Sequence, residues 1–208
     1  MKKSKERRAG KMHFKCVQSG IYGANCYIVS TDDGSFMIDP GGMEVVPHTP
    51  SDLKAIVLTH GHFDHIGGVD AVLAVKKVPI YIHEKDAHML TDTVQNLSAA
   101  LGGYRFTATP ADQRLHDGDE FMGFRIIHTP GHSFGSICLY SELDKILFSG
   151  DTLFRESYGR YDFGDLKQLL SSLNKLLLLP ADTAVYPGHE MPTTIGHELI
   201  YNPAAGYR

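Results

Sequence analysis

A run of metal-ligand side chains, placed directly after a short apolar stretch, constrains this chain more than any other feature. Residues Ile56–Leu58 lead into Thr59-His60-Gly61-His62-Phe63-Asp64-His65, which places four ligand side chains within six residues. Independent placement of the His and Asp residues of the chain would produce this pattern about 0.003 times, so we interpret it as a motif. Imidazole nitrogens and carboxylate oxygens bind Zn²⁺ and Fe. Four such ligands within one short segment, together with ligands from elsewhere in the chain, are more than one tetrahedral ion can bind. Two metal ions are therefore expected.

Three other apolar runs also end at a residue that can bind a metal. These residues are His132, Asp151 and His189, and a glycine directly precedes each of them. Loops at the ends of rigid strands carry functional residues, and a glycine before a ligand lets the backbone turn sharply. Asp151 taken alone also fits a helix cap. Together with the HxHxDH run, these residues complete a predicted ligand set of five His and two Asp.

Composition and charge exclude several classes of protein. The chain is 42% hydrophobic and 21% charged, which is typical of a folded globular protein and not of a disordered or fibrous one. Lys+Arg 20 against Asp+Glu 24 leaves a net charge of −4, which argues against nucleic acid as a partner. No apolar run reaches the roughly 18 residues of a membrane helix, so no membrane partner is expected. No secretory signal peptide is expected either, because no apolar stretch follows the basic amino terminus.

A length of 208 residues suits one domain. Residues 1–11 are predicted to be a basic tail, and residues 12–208 a single domain. Cys16, Cys26 and Cys138 are odd in number, widely spaced and set among strand-like residues, so we expect buried, reduced thiols and a cytoplasmic location. Nothing in the sequence specifies an oligomeric state.

Short β-branched and aromatic runs predict strands. Eight are expected, over Tyr27–Ser30, Phe36–Ile38, Ala55–Leu58, Ile80–Ile82, Phe124–Ile127, Ile137–Tyr140, Ile146–Phe148 and Ala184–Tyr186. Leucines spaced at i, i+3, i+4 and i+7 predict a helix over Asp165–Leu179, ended by Pro180. Shorter helices are expected over Gly67–Val75, Glu84–Leu90 and part of Thr93–Leu101. The order of elements indicates an α/β layered fold, with sheet packed on sheet and helices outside.

The motifs together resemble the metallo-β-lactamase-fold hydrolases, most closely the single-domain glyoxalase II-like branch. The segments that carry the resemblance span most of the chain: Asn25–Val29, Ile38–Gly41, His60–Gly68, Thr129–Ser133 with Gly135 and Ser136, Gly150–Phe154 and Pro187–His189. The resemblance implies a four-layer αββα sandwich, in which two mixed sheets pack face to face and the metals lie in a cleft at one sheet edge.

The resemblance also implies a role for each ligand. His60, His62 and His132 would hold one metal, Asp64, His65 and His189 the other, and Asp151 would bridge them. Asp39 would support a ligand histidine from outside, as such carboxylates do. Zinc is the expected metal, with iron or manganese as alternatives.

The expected reaction is hydrolysis of a thioester such as a hydroxyacyl-glutathione, by a hydroxide held between the metals. Lowering the pKa of water from 15.7 to about 7 is worth roughly 12 kcal/mol, more than a lone His base supplies. Asp64 and Asp151 are the predicted catalytic side chains, and Asp64 is expected to orient the hydroxide. The segment Gly150-Asp151-Thr152 does not match the Gly-x-Ser-x-Gly pattern of a nucleophile elbow.

The sequence indicates less about how the substrate is bound. The two-domain members of the family carry a helical domain that helps bind glutathione, but here only 18 residues follow Glu190. Arg160 is a candidate for binding a substrate carboxylate, or for pairing with Asp162. Tyr22, Tyr158 and Tyr161 are further candidates for the cleft.

Other activities remain open on the same scaffold. The related persulfide dioxygenases use one iron held by two His and one Asp, which here would be His60, His132 and Asp151. Lactonase or nuclease activity is also compatible with the fold, although the chain has no basic patch of the kind nucleases use. A non-enzymatic binding module would be expected to lack one or more ligands, and all seven are present.

Overall fold

The computed structural model describes residues 12–207, so the predicted basic tail over residues 1–11 lies outside the described residues. The first sheet contains six strands that pair in chain order, with antiparallel pairs at the β1 side and parallel pairs at the β6 side. Its strands are β1 (His13–Ser19), β2 (Ala24–Thr31), β3 (Gly34–Ile38), β4 (Leu53–Val57), β5 (Ile80–His83) and β6 (Gln113–Leu115).

The second sheet has the order β14-β13-β10-β9-β8-β7, in which only the β10–β13 pair is parallel. Its strands are β7 (Glu120–Phe121), β8 (Phe124–His128), β9 (Ile137–Ser141), β10 (Ile146–Gly150), β13 (Ala184–Pro187) and β14 (Thr193–Thr194). A separate ribbon pairs β11 (Leu153–Phe154) with β12 (Ser157–Tyr158). The α-helices are α1 (Phe63–Ile66), α2 (Val69–Val75), α3 (Leu166–Leu176) and α4 (Ile195–Tyr201), and 3-10 helices cover Met43–His48, Ala87–Thr91 and Pro203–Gly206.

Alternation along the strands explains the layers. In β2, Tyr27 and Val29 belong to the apolar cluster between the two sheets, whereas Cys26 and Ile28 belong to the cluster that packs the first sheet on α2. A strand buried on both faces reads as a continuous apolar run, as this one does. A third cluster joins the outer face of the second sheet to the buried leucines of α3. The order helix, sheet, sheet, helix confirms the predicted four-layer fold of two mixed sheets.

Each predicted strand overlaps an observed one, but the edge strand β1 and several strands of two or three residues were not predicted. β1 was missed because most of its side chains are exposed or half-buried, so the apolar signal is weak. The same exposure makes the prediction of a buried Cys16 wrong. Cys26 and Cys138 are buried, and all three cysteines are free thiols.

The long helix is confirmed as α3, with Asp165 as its N-cap: the Asp165 Oδ1 accepts a hydrogen bond from the Gln168 amide at 2.8 Å. The helix does not reach Leu179, because a residue before proline is disfavoured in a helix. The predicted helix over Gly67–Val75 is observed as α2. Within residues 12–207, no helix has both the length and the apolar character needed to cross a bilayer.

The helix predicted over Glu84–Leu90 is observed only in part, as a 3-10 helix, and the helix predicted within Thr93–Leu101 is wrong. A turn leads into the 3-10 helix Ala87–Thr91, and residues 93–101 form turns. The Asp92 carboxylate accepts hydrogen bonds from the amides of Val94 and Gln95, which closes a local turn in place of a helix. Leu97, with a φ of 67°, interrupts any helical continuation.

Candidate metal centre

The predicted ligands lie in the segments that follow the ends of four strands. The HxHxDH run follows β4, His132 follows β8, Asp151 directly follows β10, and His189 follows β13. Strands of both sheets therefore contribute to one centre. This agrees with the expectation that the chemistry lies at strand ends.

Two of the glycines before ligands are required by close approach. A Cβ on Gly188 would lie 2.2 Å from the Asp151 Oδ1 and 2.8 Å from the His65 Cε1. Gly131 has a φ of 140°, and a Cβ there would lie 2.3 Å from backbone atoms of Leu169 in α3. Only glycine fits at either position without displacing its neighbours.

His60, His62 and His132 form a first group of converging nitrogens, all buried. The His132 Nε2 lies 2.9 Å from the His62 Nδ1 and 3.3 Å from the His60 Nε2. Metal–nitrogen bonds of 2.0–2.1 Å in a tetrahedron correspond to nitrogen–nitrogen separations of about 3.3 Å. The spacing of this group therefore fits a single transition-metal ion.

Asp64, His65 and His189 form a second group. The His189 Nε2 lies 3.2 Å from the His65 Nε2 and 3.4 Å from the Asp64 Oδ2. Two imidazole nitrogens and one carboxylate oxygen at this spacing also suit a divalent ion.

Asp151 lies between the two groups. Its Oδ2 is 3.6 Å from the His132 Nε2 and 3.7 Å from the His189 Nε2, and its Oδ1 is 3.4 Å from the His65 Nε2. The Oδ1 is buried and has no hydrogen-bond partner among the described residues. A buried carboxylate oxygen needs a partner, so this orphaned atom indicates that a cation belongs between the groups.

Outer contacts orient the ligand rings. The Asp39 Oδ2 lies 3.0 Å from the His65 Nδ1, as the predicted supporting role requires, and the same carboxylate accepts hydrogen bonds from the Thr59 amide and hydroxyl. The Thr59 Oγ1 in turn lies 3.1 Å from the His60 Nδ1. The His132 Nδ1 lies 2.8 Å from the Arg160 carbonyl oxygen and donates to it. Such contacts fix which ring nitrogen is left with a free lone pair.

Burial and neighbouring charges perturb the pKa of these groups in two directions. Burial, together with the neighbouring His132, lowers the pKa of His62 to about 3, and burial also lowers the pKa of His60 far below its usual value. Burial opposes the charged form of His65, but the carboxylates of Asp151 and Asp64 outweigh it and raise its pKa. His60 and His62 are therefore held neutral, as metal binding requires, while the surroundings of His65 favour a positive charge.

Sequence reasoning missed Asp86, which ties two ligand loops together. Its buried carboxylate accepts hydrogen bonds from the Gly61 amide at 3.2 Å, the Ser133 hydroxyl at 2.6 Å and the Gly135 amide at 2.6 Å. Gly61 separates His60 from His62, and Ser133 follows His132. No motif marks Asp86, because only the packing of the 3-10 helix Ala87–Thr91 brings it to these loops.

A cavity of about 630 Å³ opens over the centre. Its lining includes five of the predicted ligands, the apolar side chains of Phe63, Leu97, Leu101, Phe154 and Phe163, and Arg160. This size and mixed lining suit a small molecule.

The predicted substrate residues lie in different surroundings. The Arg160 guanidinium pairs with Asp162 and lies 5.7 Å from the centre of the Phe163 ring. Tyr158 packs against the apolar cluster under α3. Tyr161 is 45% exposed. Arg160 and Tyr22 are among the described residues that line the cavity, whereas Tyr158 and Tyr161 are not.

Known proteins resemble the chain over most of its length. Residues 20–189 match the family described as the Metallo-beta-lactamase superfamily. The "Probable metallo-hydrolase YqgX" of Bacillus subtilis is 36% identical over 204 residues, covering 92% of this chain and 97% of its own length. The "Hydroxyacylglutathione hydrolase GloC" of Haemophilus influenzae is 31% identical over 206 residues, with 92% of this chain and 97% of its own covered.

Solved structures resemble the chain over a similar share of its length. The BLEG-1 B3 metallo-beta-lactamase is 42% identical with a TM-score of 0.85, covering 92% of this chain and 98% of its own. TTHA1623 in a di-iron-bound form is 37% identical with a TM-score of 0.84, and the match covers 91% of this chain and 98% of TTHA1623. Since sequence, fold and a His/Asp cluster suited to divalent metals all agree, the chain is a metallo-hydrolase of the metallo-β-lactamase superfamily.

Proposed function

We propose that this protein hydrolyses a thioester of an S-acyl thiol, such as a hydroxyacyl-glutathione, at a site for two divalent metal ions. The observation that carries the proposal is that two ligand groups meet at Asp151 on the wall of a cavity of about 630 Å³. The relative GloC, named as a hydroxyacylglutathione hydrolase, supports the choice of substrate.

The residues present fit two ions. His60, His62 and His132 would hold one, Asp64, His65 and His189 the other, and Asp151 would contact both. Bound zinc supplies a nucleophile at neutral pH, by lowering the pKa of water, and polarises the carbonyl that is attacked. Iron suits the same ligands, and the di-iron form of TTHA1623 supports it as an alternative.

The chain's own side chains bind and orient the substrate and the attacking water. Asp64 has a lowered pKa, since His65 and the contact with His189 outweigh its burial, so its carboxylate is ionised and can accept a hydrogen bond that orients the attacking water. The apolar wall around Phe63, Leu97 and Phe154 excludes bulk water from the reacting carbonyl. Arg160 lies at the cavity and can bind a substrate carboxylate after exchanging it for Asp162.

A single-iron dioxygenase site built from His60, His132 and Asp151 explains less of the structure. A single-iron site leaves the second ligand group without a role, yet the side chains of Asp64, His65 and His189 converge as closely as those of the first ligand group. Asp39 is moreover positioned behind His65, a member of the second group. These contacts favour a binuclear hydrolase.

The test is hydrolysis of lactoyl-glutathione by protein of measured metal content. Because Cys16 is exposed and would react with thiol reagents, the reaction is followed by the loss of thioester absorbance. The wild type is expected to turn over, and Asp64→Asn is expected to lower kcat at least 100-fold. Asp52→Asn, at an exposed carboxylate outside the site, is the matched control and should leave kcat unchanged. A metal-loaded protein that hydrolyses no thioester would contradict the proposal.

β-Lactam hydrolysis is a second candidate, because BLEG-1 is described as a B3 metallo-beta-lactamase and is 42% identical. A β-lactam in the same assay series distinguishes the two. Higher kcat/KM on the β-lactam than on every thioester would favour the second candidate.

A further inference from the structure

A second cavity, of about 300 Å³, adjoins the cavity over the metal centre. The residues that line both are His62, Leu97 and Phe163. Because a predicted metal ligand belongs to both walls, a molecule held at the metal centre can extend into the second cavity.

Leu97 lies at the boundary between the two cavities in a strained conformation. Its φ of 67° is in the left-handed region, which a branched apolar residue rarely adopts. The neighbours on either side, Asn96 and Ser98, are fully buried, and the Asn96 carbonyl accepts a hydrogen bond from the Phe63 amide at 2.9 Å. Strain of this kind persists only where the surroundings impose it, and it concentrates at functional sites.

The second cavity combines apolar walls with positive charge. Val94 is 62% exposed and Phe134 is 53% exposed, so both offer apolar surface to a ligand, with Met89 beside them. Lys85 lines the same cavity, is exposed, and makes no ion pair within residues 12–207. His88 adds a second basic side chain.

Asp86 also lines this cavity, but its carboxylate does not form an ion pair with Lys85. Both of its oxygens accept hydrogen bonds from Gly61, Ser133 and Gly135, as described above. In the larger cavity, by contrast, Arg160 already pairs with Asp162. Among residues 12–207, Lys85 is thus the Lys or Arg side chain of the two cavity linings that makes no ion pair and is available to an anionic ligand.

We propose that the second cavity binds an alkyl chain ending in a carboxylate, carried by either half of the thioester substrate. This inference rests on the proposed thioester hydrolysis. The alkyl chain of the ligand packs on Met89, Val94 and Phe134, and its carboxylate forms an ion pair with Lys85. Leu97 sets the width of the passage between the two cavities, so it determines which substrates can span them.

The test compares matched S-acyl thiols whose acyl chain ends in a methyl or a carboxylate, and a second pair with the same change on the thiol half. For at least one pair, the wild type is expected to prefer the carboxylate at least tenfold in kcat/KM. Lys85→Glu should abolish this preference. Lys77→Glu, at an exposed lysine that lines neither cavity, should change it less than twofold. The pair that responds shows which half enters the second cavity.

Leu97→Gly tests the wall separately. Glycine accepts the left-handed conformation without strain, so the variant should keep or raise Tm. The ratio of kcat/KM for branched acyl substrates to kcat/KM for the acetyl substrate should also be at least fivefold higher in the variant than in the wild type. Unchanged selectivity would overturn the role of Leu97.

Binding of a non-hydrolysable thioether with a terminal carboxylate, measured by calorimetry, separates the two proposals. If no thioester is cleaved, the proposed function fails, but a tenfold weaker Kd in Lys85→Glu still supports the second cavity as an anion-binding arm. If thioesters are cleaved and Lys85→Glu behaves like Lys77→Glu in both turnover and binding, the second cavity is not part of the site.

Discussion

Removing the carboxylate of Asp86 should weaken metal binding at one ligand group more than at the other. Asp86 holds the Gly61 amide within the HxHxDH run and the Ser133 hydroxyl beside His132, so it joins the two loops that form the first group. It makes no hydrogen bond to Asp64, His65 or His189 in the described structure. The variant to make is Asp86→Asn, which keeps the size of the side chain.

The magnitude follows from the three hydrogen bonds. An asparagine offers one oxygen and one amino group, so at least one of the amides of Gly61 and Gly135 would face a donor and lose its partner. A buried donor left unpaired costs about 1–3 kcal/mol. For a chain of this size that corresponds to a fall in Tm of roughly 3–10 °C. Loss of an outer contact of this kind also weakens metal affinity about 10–100-fold.

The assay is titration of metal-free Asp86→Asn with Zn²⁺, read by calorimetry, beside thermal unfolding of the same sample. Ser133→Ala is the matched control, because it removes one of the three hydrogen bonds and leaves both amides paired. We expect one of the two binding steps to weaken at least tenfold in Asp86→Asn and less than threefold in Ser133→Ala. A lower Tm with both binding steps unchanged would refute the reasoning and leave Asp86 a purely structural residue.

Three further predictions concern stability. Gly131→Ala should lower Tm much more than Gly118→Ala. Both glycines have a positive φ, but only at residue 131 would an added Cβ clash with Leu169. Equal losses of Tm in thermal unfolding would contradict this prediction. Burial and the stacked His128 ring lower the pKa of His83 to about 4, so its contribution to stability is complete above pH 6.5 and is lost as the pH falls toward 4. His83→Phe keeps the stack and should flatten urea-unfolding free energies over that range, whereas an unchanged slope would assign the loss to other groups. Chelation should lower the Tm of the wild type, because the ions bind only the folded chain, and added Zn²⁺ should restore it; a Tm indifferent to both would argue against bound metal.

The grouping of the candidate ligands could be predicted from the sequence because each of them follows closely on the end of a strand. The HxHxDH run is local, and His132, Asp151 and His189 each follow a strand, so predicting the strands was enough to bring them together. The layered fold was accessible for a similar reason, since runs such as 26–29 are apolar on both faces and require a covered sheet.

The surroundings of the site could not be predicted in the same way. Asp86 and Leu97 lie in segments predicted to be helical, and their roles depend on turns that form only against the metal loops. Tyr158 is a sequence candidate for the cleft, but from strand β12 it packs against the cluster under α3. Side-chain partners across long chain separations carry no local signal, and the cavities are built from such partners.

The most direct test of the account is the metal content of protein purified without added metal or chelator, measured by elemental analysis for the wild type, His60→Ala and His189→Ala. Each substitution removes one ligand from a different group. We expect about two ions per chain in the wild type and about one in each variant. One ion or fewer in the wild type, even after loading with Zn²⁺ or Fe²⁺, would contradict a binuclear centre.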